Sequence, residues 1–274
     1  MEQDFALDRD RCTQCGQCVY ACNRQILAVN EGGYPFLPAE NFEQCNGCGH
    51  CSAVCPADAV IPPRCGGEKA APFPGNPDIG TAEGEAFLLS CRSMRRYKQE
   101  PVKKEDVLAV LDVARKAPSA SNLQPVRWIA LSGRDKAERF TVLTLEWFDK
   151  VVRHDPVMGS RYNVDTMLAR YKNGYDVILR GAPNAVIAVT DKDAGWGPTD
   201  GAIATTYFCL AAHARGIGSC WCGFGMRALQ AYQPLRDFAG VDGASQVHGM
   251  AFFGYPELGY RAVPPRNPLR VAWI

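Results

Sequence analysis

The 274 residues carry 30 Lys/Arg against 29 Asp/Glu, 47% hydrophobic and 22% charged residues, which is the make-up of a globular chain with a sizeable core. A formal net charge of +1 gives no overall pull toward nucleic acid or an anionic membrane surface. The charge is uneven, however, with a balance of −4 from Met1 to Cys65 and +5 over the remainder.

Met1-Glu2-Gln3-Asp4 lacks the basic start and apolar run of a signal peptide, and no apolar stretch reaches 18 residues. A cytoplasmic protein, with neither a membrane nor a nucleic acid as partner, is the expectation.

Eight of the thirteen cysteines fall within the first 55 residues, in a spacing that repeats. Cys12-x2-Cys15-x2-Cys18-x3-Cys22 is followed by Cys45-x2-Cys48-x2-Cys51-x3-Cys55-Pro56. Three thiolates two residues apart on a tight loop can face one iron–sulfur cube, while the fourth, opening a short helix, points away to another. The spacing therefore predicts Cys12, Cys15, Cys18 and Cys55 on one [4Fe–4S] cluster and Cys45, Cys48, Cys51 and Cys22 on the second. Zinc sites use paired C-x2-C units, and the extra cysteines exceed that need. Disulfides would require an oxidising compartment, for which the sequence gives no sign.

From Asp8 to Ile61 the chain resembles two-cluster bacterial ferredoxins, departing at Asn23, where that family usually has proline. His50 reads as solvent-facing. Between Pro62 and Gly84 periodicity gives way to Pro, Gly, Ala and short polar residues, so 64–84 is expected to be a linker with Cys65 an incidental thiol.

Beyond residue 84 helical and strand patterns alternate. Helices are expected over Lys103–Lys116 and Asp200–Arg215, the second stopped by Gly216. Strands are expected over Val126–Leu131, Ala185–Thr190, Ser219–Cys222 and Gln246–Gly254. The fold class is α+β: a small two-cluster domain over 1–63, then a mixed sheet flanked by helices over 85–274.

Four short stretches in this second part carry chemistry: Cys91-Arg92-Ser93-Met94-Arg95-Arg96-Tyr97, Ala117-Pro118-Ser119-Ala120-Ser121-Asn122-Leu123-Gln124-Pro125, Gly216 to Phe224, and Arg266-Asn267-Pro268-Leu269. Guanidinium groups beside a hydroxyl suit a phosphomonoester, which takes bidentate, charge-assisted hydrogen bonds. In their order and spacing over Phe87 to Ile274 these stretches resemble the FMN-dependent nitroreductase family. The resemblance implies FMN phosphate at Arg92, Ser93, Arg95 and Arg266. It implies ribityl or ring contacts at Ser119, Asn122 and Gln124, flavin N5 at the backbone N–H of Gly223, and Pro118 and Cys222 among the cofactor-binding residues. It further implies a homodimer, with the flavin rather than a side chain performing catalysis. Cys91, Cys209, Cys220 and Cys222 read as buried structural thiols. Trp147, Phe148, Tyr162, Tyr171 and Tyr175 fit either a cover over the flavin or core and dimer contacts.

These readings give an iron–sulfur flavoprotein oxidoreductase. Electrons from an external donor (a ferredoxin or NAD(P)H) would pass through two clusters to FMN and on to a small electron-poor acceptor. Such an acceptor is a nitroaromatic, quinone or activated alkene. The competing classes are an electron-carrier subunit and a redox sensor, either of which would serve a protein partner and no small molecule.

Overall fold

The computed structural model describes residues 5–274, so the opening Met1–Asp4 lies outside the described residues. Two compact units are present: residues up to Ile79 together with Ser121–Leu123, and Gly80–Ala120 together with Gln124–Ile274.

The first unit is built as a repeat. Strand β1 (Ala6–Leu7) leads through a cysteine loop to helix α1 (Gln17–Tyr20), then to β2 (Ala28–Val29) and β3 (Pro35–Phe36). A second loop leads to α2 (His50–Ala53) and β4 (Val60–Ile61). Left-handed backbone recurs at matching offsets. Gln14 and Gly47 lie two residues beyond the first cysteine of each run, Gly16 and Gly49 four beyond, and Gln25 and Asp58 three beyond the fourth. Gly16 and Gly49 stand directly before α1 and α2 with φ of 70° and 72°, the region where glycine costs least. β1 pairs antiparallel with β4, and Asp8 N–H donates to Ala59 O at 2.9 Å, closing the end of the repeat on its beginning.

The expected linker is anchored at its start, over Arg64–Ala70. Arg64 donates to Cys45 O at 3.1 Å and to Glu43 at 2.6 Å, and Lys69 donates to Asp58 O at 2.7 Å. Cys65 lies against the second loop, its Sγ 3.3 Å from Gly47 O. These side-chain anchors leave no periodic trace, which is why the sequence there reads as unstructured.

The second unit opens with α3 (Thr81–Ser90), which the sequence reading placed partly in the linker, and α4 (Lys104–Ala114). Then come β5 (Arg127–Ser132), α5 (Arg134–Lys150), α6 (Met158–Arg161), α7 (Val164–Lys172) and β6 (Asn184–Asp191). The unit continues with α8 (Gly197–Ala214), β7 (Gly218–Trp221), α9 (Gly223–Ala231), α10 (Gln233–Ala239) and β8 (Ser245–Gly254). The sheet order is β5-β6-β8-β7, every adjacent pair antiparallel. Its parallel component is a single bridge between Ser93 and Ser219 on the β7 edge.

Near-continuous apolar runs in β6 and β8 predict strands covered on both faces, and they are. One face packs under α4 and α8 around Phe208, Phe253 and Ile217. The other meets α5, α9 and α10 around Phe140, Leu229 and Met250. Helix α8 lies close on β8 because glycines meet there. A Cβ on Gly249 would stand 2.0 Å from Thr205 Oγ1, and one on Gly201 2.5 Å from His248 Cβ. The β6–β8 register slips between Ala188 and Val189, leaving His248 unpaired at a bulge. Left-handed Gly216 (φ 70°) follows α8, as expected of a helix stop.

Phe208 is fully buried, 5.2 Å from the Phe253 ring and 5.9 Å from Trp128. Phe208→Ala should lower the stability of the second unit by about 3–5 kcal/mol, read by denaturant unfolding. A loss below about 1 kcal/mol would mean that this face is not the core described.

Candidate cluster loops and flavin site

The eight cysteines line two separate cavities. Cys12, Cys15, Cys18 and Cys55 line one cavity with Val60 and Pro35, and Cys22, Cys45, Cys48 and Cys51 line another with Ile26, Leu37 and Pro62. The crossing follows from the packing of α1 against α2 and from the β1–β4 pairing, which returns each fourth cysteine to the other run's loop. Four thiols converging on each apolar-walled cavity fit a [4Fe–4S] cluster. Burial pushes the Cys51 thiol up to about 12 and raises Cys18, whereas the backbone amide of Gln17 and the Thr13 hydroxyl lower Cys15. The buried thiols therefore need a neighbouring cation to ionise them, which iron supplies. His50 is exposed, as expected.

In the second unit the Arg92–Tyr97 stretch lies along the sheet edge. Met94 N–H donates to Ser219 O at 2.9 Å, and the Met94 side chain is buried under it. Extended chain alternates its faces, so Ser93 and Arg95 are exposed on the side away from Met94, while Arg92 is half-buried. Arg95 reaches back to Ser93 O at 3.4 Å, and Tyr260 Oη donates to the same carbonyl at 3.1 Å. Arg266 is exposed on the C-terminal segment, where its guanidinium bonds only locally, to Pro265 O at 3.4 Å.

Strand β7 leads from Ser219 to Gly223, the first residue of α9. A Cβ on Gly223 would meet nothing within 4 Å, so the approach to its backbone is open. Its amide, like the first amides of any helix, has no intrahelical acceptor. Phe224 anchors the helix start in an edge-to-face cluster with Phe148 at 5.2 Å and Tyr162 at 5.6 Å. Trp147 and Phe148 are core residues rather than a cover.

Cys222 precedes Gly223 with its thiol turned to the core. Its N–H donates to Met250 O at 2.8 Å and its Sγ turns inward, 3.9 Å from Ile178 O. Burial pushes this thiol up to about 12 and that of Cys209 to about 11. Such thiols are poor nucleophiles near neutral pH, which argues against a redox-active Cys220–Cys222 pair.

The Pro118–Pro125 turn carries left-handed backbone at Ser121, Asn122 and Gln124. Ser119 Oγ accepts from Gln124 N–H at 2.9 Å, and Asp200 Oδ1 at the start of α8 accepts from Ala120 N–H at 3.0 Å. Pro118, Ser119 and Gln124 line a cavity with Trp128 and Asp200. Asp200 Oδ2 and Trp128 Nε1 are buried without a hydrogen-bond partner. A free acceptor beside a free donor fits a polar ligand at this turn. Asn122 belongs to the same turn. Its Nδ2 donates to Asn46 O at 3.1 Å and Gly47 O at 3.0 Å, within the first unit. Both of its amide hydrogens are thus taken by the second cysteine loop.

The first unit is a two-cluster iron–sulfur domain of the ferredoxin type, and residues 8–59 match the 4Fe-4S dicluster domain. The chain as a whole belongs to the nitroreductase family, which residues 88–255 match. It is 26% identical over 176 residues to a putative NADH dehydrogenase/NAD(P)H nitroreductase of Archaeoglobus fulgidus, covering 62% of this chain and 84% of that one. The ferredoxin-type protein NapF of Escherichia coli K12 is 40% identical over 53 residues, 19% of this chain and 31% of NapF. A Bacteroides fragilis nitroreductase crystallised with bound FMN shares the fold at a TM-score of 0.56 and 23% identity. The match covers 70% of this chain and 97% of that one. Among the described residues, no helix is long and apolar enough to cross a membrane.

Cys22→Ala should damage the cluster held with Cys45, Cys48 and Cys51, and Cys55→Ala the other, each variant losing roughly half of the iron. Paramagnetic resonance of the reduced protein distinguishes the two. A Cys22 variant that lost the signal of the Cys12 loop instead would reverse the partition. At pH 8, Cys222 and Cys209 should resist alkylation in the folded protein, as read by mass spectrometry, because burial keeps both thiols protonated.

Proposed function

We propose that the protein is an FMN-dependent oxidoreductase. It takes electrons from an external donor, such as a ferredoxin or NAD(P)H, through its two clusters and delivers them to a small electron-poor acceptor. The observation that carries this reading is the sharing of β7. Ser93 pairs with Ser219, and Gly223 opens α9 four residues later. About 13 Å of extended chain separates the two points, a span of the order of a ring joined through a ribityl chain to a phosphate.

In this reading Ser93 and Arg95, exposed together, take the phosphate by charge-assisted hydrogen bonds, with Arg92 beside them and Arg266 free to join. Gly223 offers its unpaired amide to the ring edge, in the open space that a side chain would fill. Asp200 holds the Pro118–Pro125 turn through Ala120, leaving Ser119 and Gln124 for the ribityl hydroxyls or the ring. When bound, FMN exchanges single electrons for a hydride pair at N5, and the clusters supply the single electrons. The chain thus supplies orientation and exclusion of water, without a nucleophile of its own.

A second copy of the chain completes the arrangement. Ala120 meets Asp200 near one end of α8, and Cys91 meets Cys209 Sγ-to-carbonyl toward the other. Nine helical residues put about 14 Å between these anchors, and in this reading the turn of one protomer and the Ser93–Arg95 edge of its partner flank one flavin.

Arg95→Ala should lower FMN occupancy at least tenfold while leaving the iron content unchanged. Full flavin retention would remove the phosphate assignment. Anaerobic titration with reduced ferredoxin and with NADPH, following flavin and cluster absorbance separately, tests the route. Rapid flavin reduction by ferredoxin alone supports entry through the clusters; flavin reduction by NADPH ahead of the clusters would overturn it.

A further inference from the structure

A cleft that shares no residue with the flavin set lies between the start of α5, the chain after α7, and Glu257. It is lined by four cations, Arg96, Arg134, Lys172 and Arg180, and by the carboxylates of Glu138, Asp176 and Glu257. Asp176 is already committed. Its Oδ1 accepts from Ile178 N–H at 2.8 Å, Leu179 N–H at 2.9 Å and the Thr141 hydroxyl at 3.3 Å, and its Oδ2 from Gly181 N–H at 3.1 Å. These bonds fix the loop that presents Tyr175 and Arg180.

Two guanidiniums converge on the Tyr175 ring. Arg96 lies 5.2 Å from its centroid and Arg180 5.5 Å, and Arg180 also donates to Tyr175 Oη at 3.0 Å. Among the described residues, neither arginine forms an ion pair. Arg180 has φ of +58°, a conformation side chains rarely adopt, next to Gly181 at +78°. Strain of this kind persists where the surrounding structure imposes it, often at ligand clamps. Both guanidiniums are thus free of ion-pair partners among the described residues, and their planar forks match phosphoryl oxygens.

We propose that Arg96 and Arg180, presented around Tyr175, bind the polyphosphate group of a small molecule. Each guanidinium lies within 5.5 Å of one ring centroid, so a single extended anion can reach both. A lone monoanion would satisfy only one fork. Arg134 and Lys172 line the same cleft and add to its attraction for a multiply charged ligand. The proposal does not rest on the flavin reading, because Ser93, Arg95 and Gly223 take no part in it.

Calorimetric titration of the full chain, loaded with iron and FMN at roughly 0.15 M salt, tests it with inorganic pyrophosphate and with ADP as probes. One saturable event per chain is expected, weakened at least tenfold in Arg96→Ala and in Arg180→Ala. Arg180→Lys, which keeps the charge but loses the fork, should also weaken it. Lys116→Ala, which removes an exposed cation outside the cleft, should leave it within twofold. ADP binding tenfold tighter than pyrophosphate assigns the site to a nucleotide, and equal binding assigns it to a free polyphosphate. No saturable binding of either probe would overturn the proposal. So would binding that survives both alanine variants, or binding weakened as much in Lys116→Ala. The substituted side chains sit at the cleft surface, and an unchanged thermal unfolding midpoint verifies folding.

Discussion

Strand β8 is the constraint on which the second unit depends. Like β6 it is paired on both sides, here to β6 and to β7, and Gly249 within it lets α8 approach closely enough to seal one face. Through β7 it fixes the edge on which Ser93 and Arg95 are laid down. Through Met250 O, which takes the Cys222 N–H, it also fixes the point where the strand stops and α9 begins. The two ends of the proposed flavin site are therefore positioned by one strand. A side chain at Gly249 would meet Thr205 at 2.0 Å and force α8 away, disturbing the anchor of the Pro118–Pro125 turn at Asp200.

The first unit rests on a different balance. Within it the buried apolar residues among those described are Cys18, Ile26, Ala59 and Val60 with the prolines Pro35, Pro62 and Pro63, too few to hold a domain of this size by burial alone. Its many left-handed positions, several at non-glycine residues, each cost conformational energy. Metal–thiolate bonds offset that cost, so cluster assembly and folding are coupled in this unit, whereas the second carries a core of its own.

Much of this organisation is legible in the sequence because its signals are local. The cysteine repeat specifies which thiols meet, since three ligands per loop and an outward fourth leave one crossed arrangement. The apolar runs of β6 and β8 and the stop at Gly216 are equally direct. What escapes has no local signature. Arg64, Cys65 and Lys69 are held by bonds to residues 11 to 21 positions away, and α3 buries no side chain fully and so shows no apolar stripe. The motif around Asn122 suggests a flavin ligand, but its amide hydrogens go to Asn46 and Gly47. Cys222 sits in the expected stretch with its thiol turned to the core, a choice set by the β8 register rather than by the residue itself. The orphaned Asp200 Oδ2 emerges only when helix and turn are seen together.

The division between the units also explains the economy of ionisable chemistry. Burial drives the thiols of Cys209 and Cys222 up, away from the lowered thiol a nucleophile needs. A protein whose reactive atoms belong to its cofactors needs hydrogen-bond donors, guanidinium forks and dry walls, and these are what the chain presents. In the proposed reading, selection of the acceptor falls to shape and charge around the open face at Gly223. The aromatic cluster of Phe148, Tyr162 and Phe224 packs behind that face, so under this proposal the side chains that meet the acceptor can vary while the proposed point of electron delivery stays fixed.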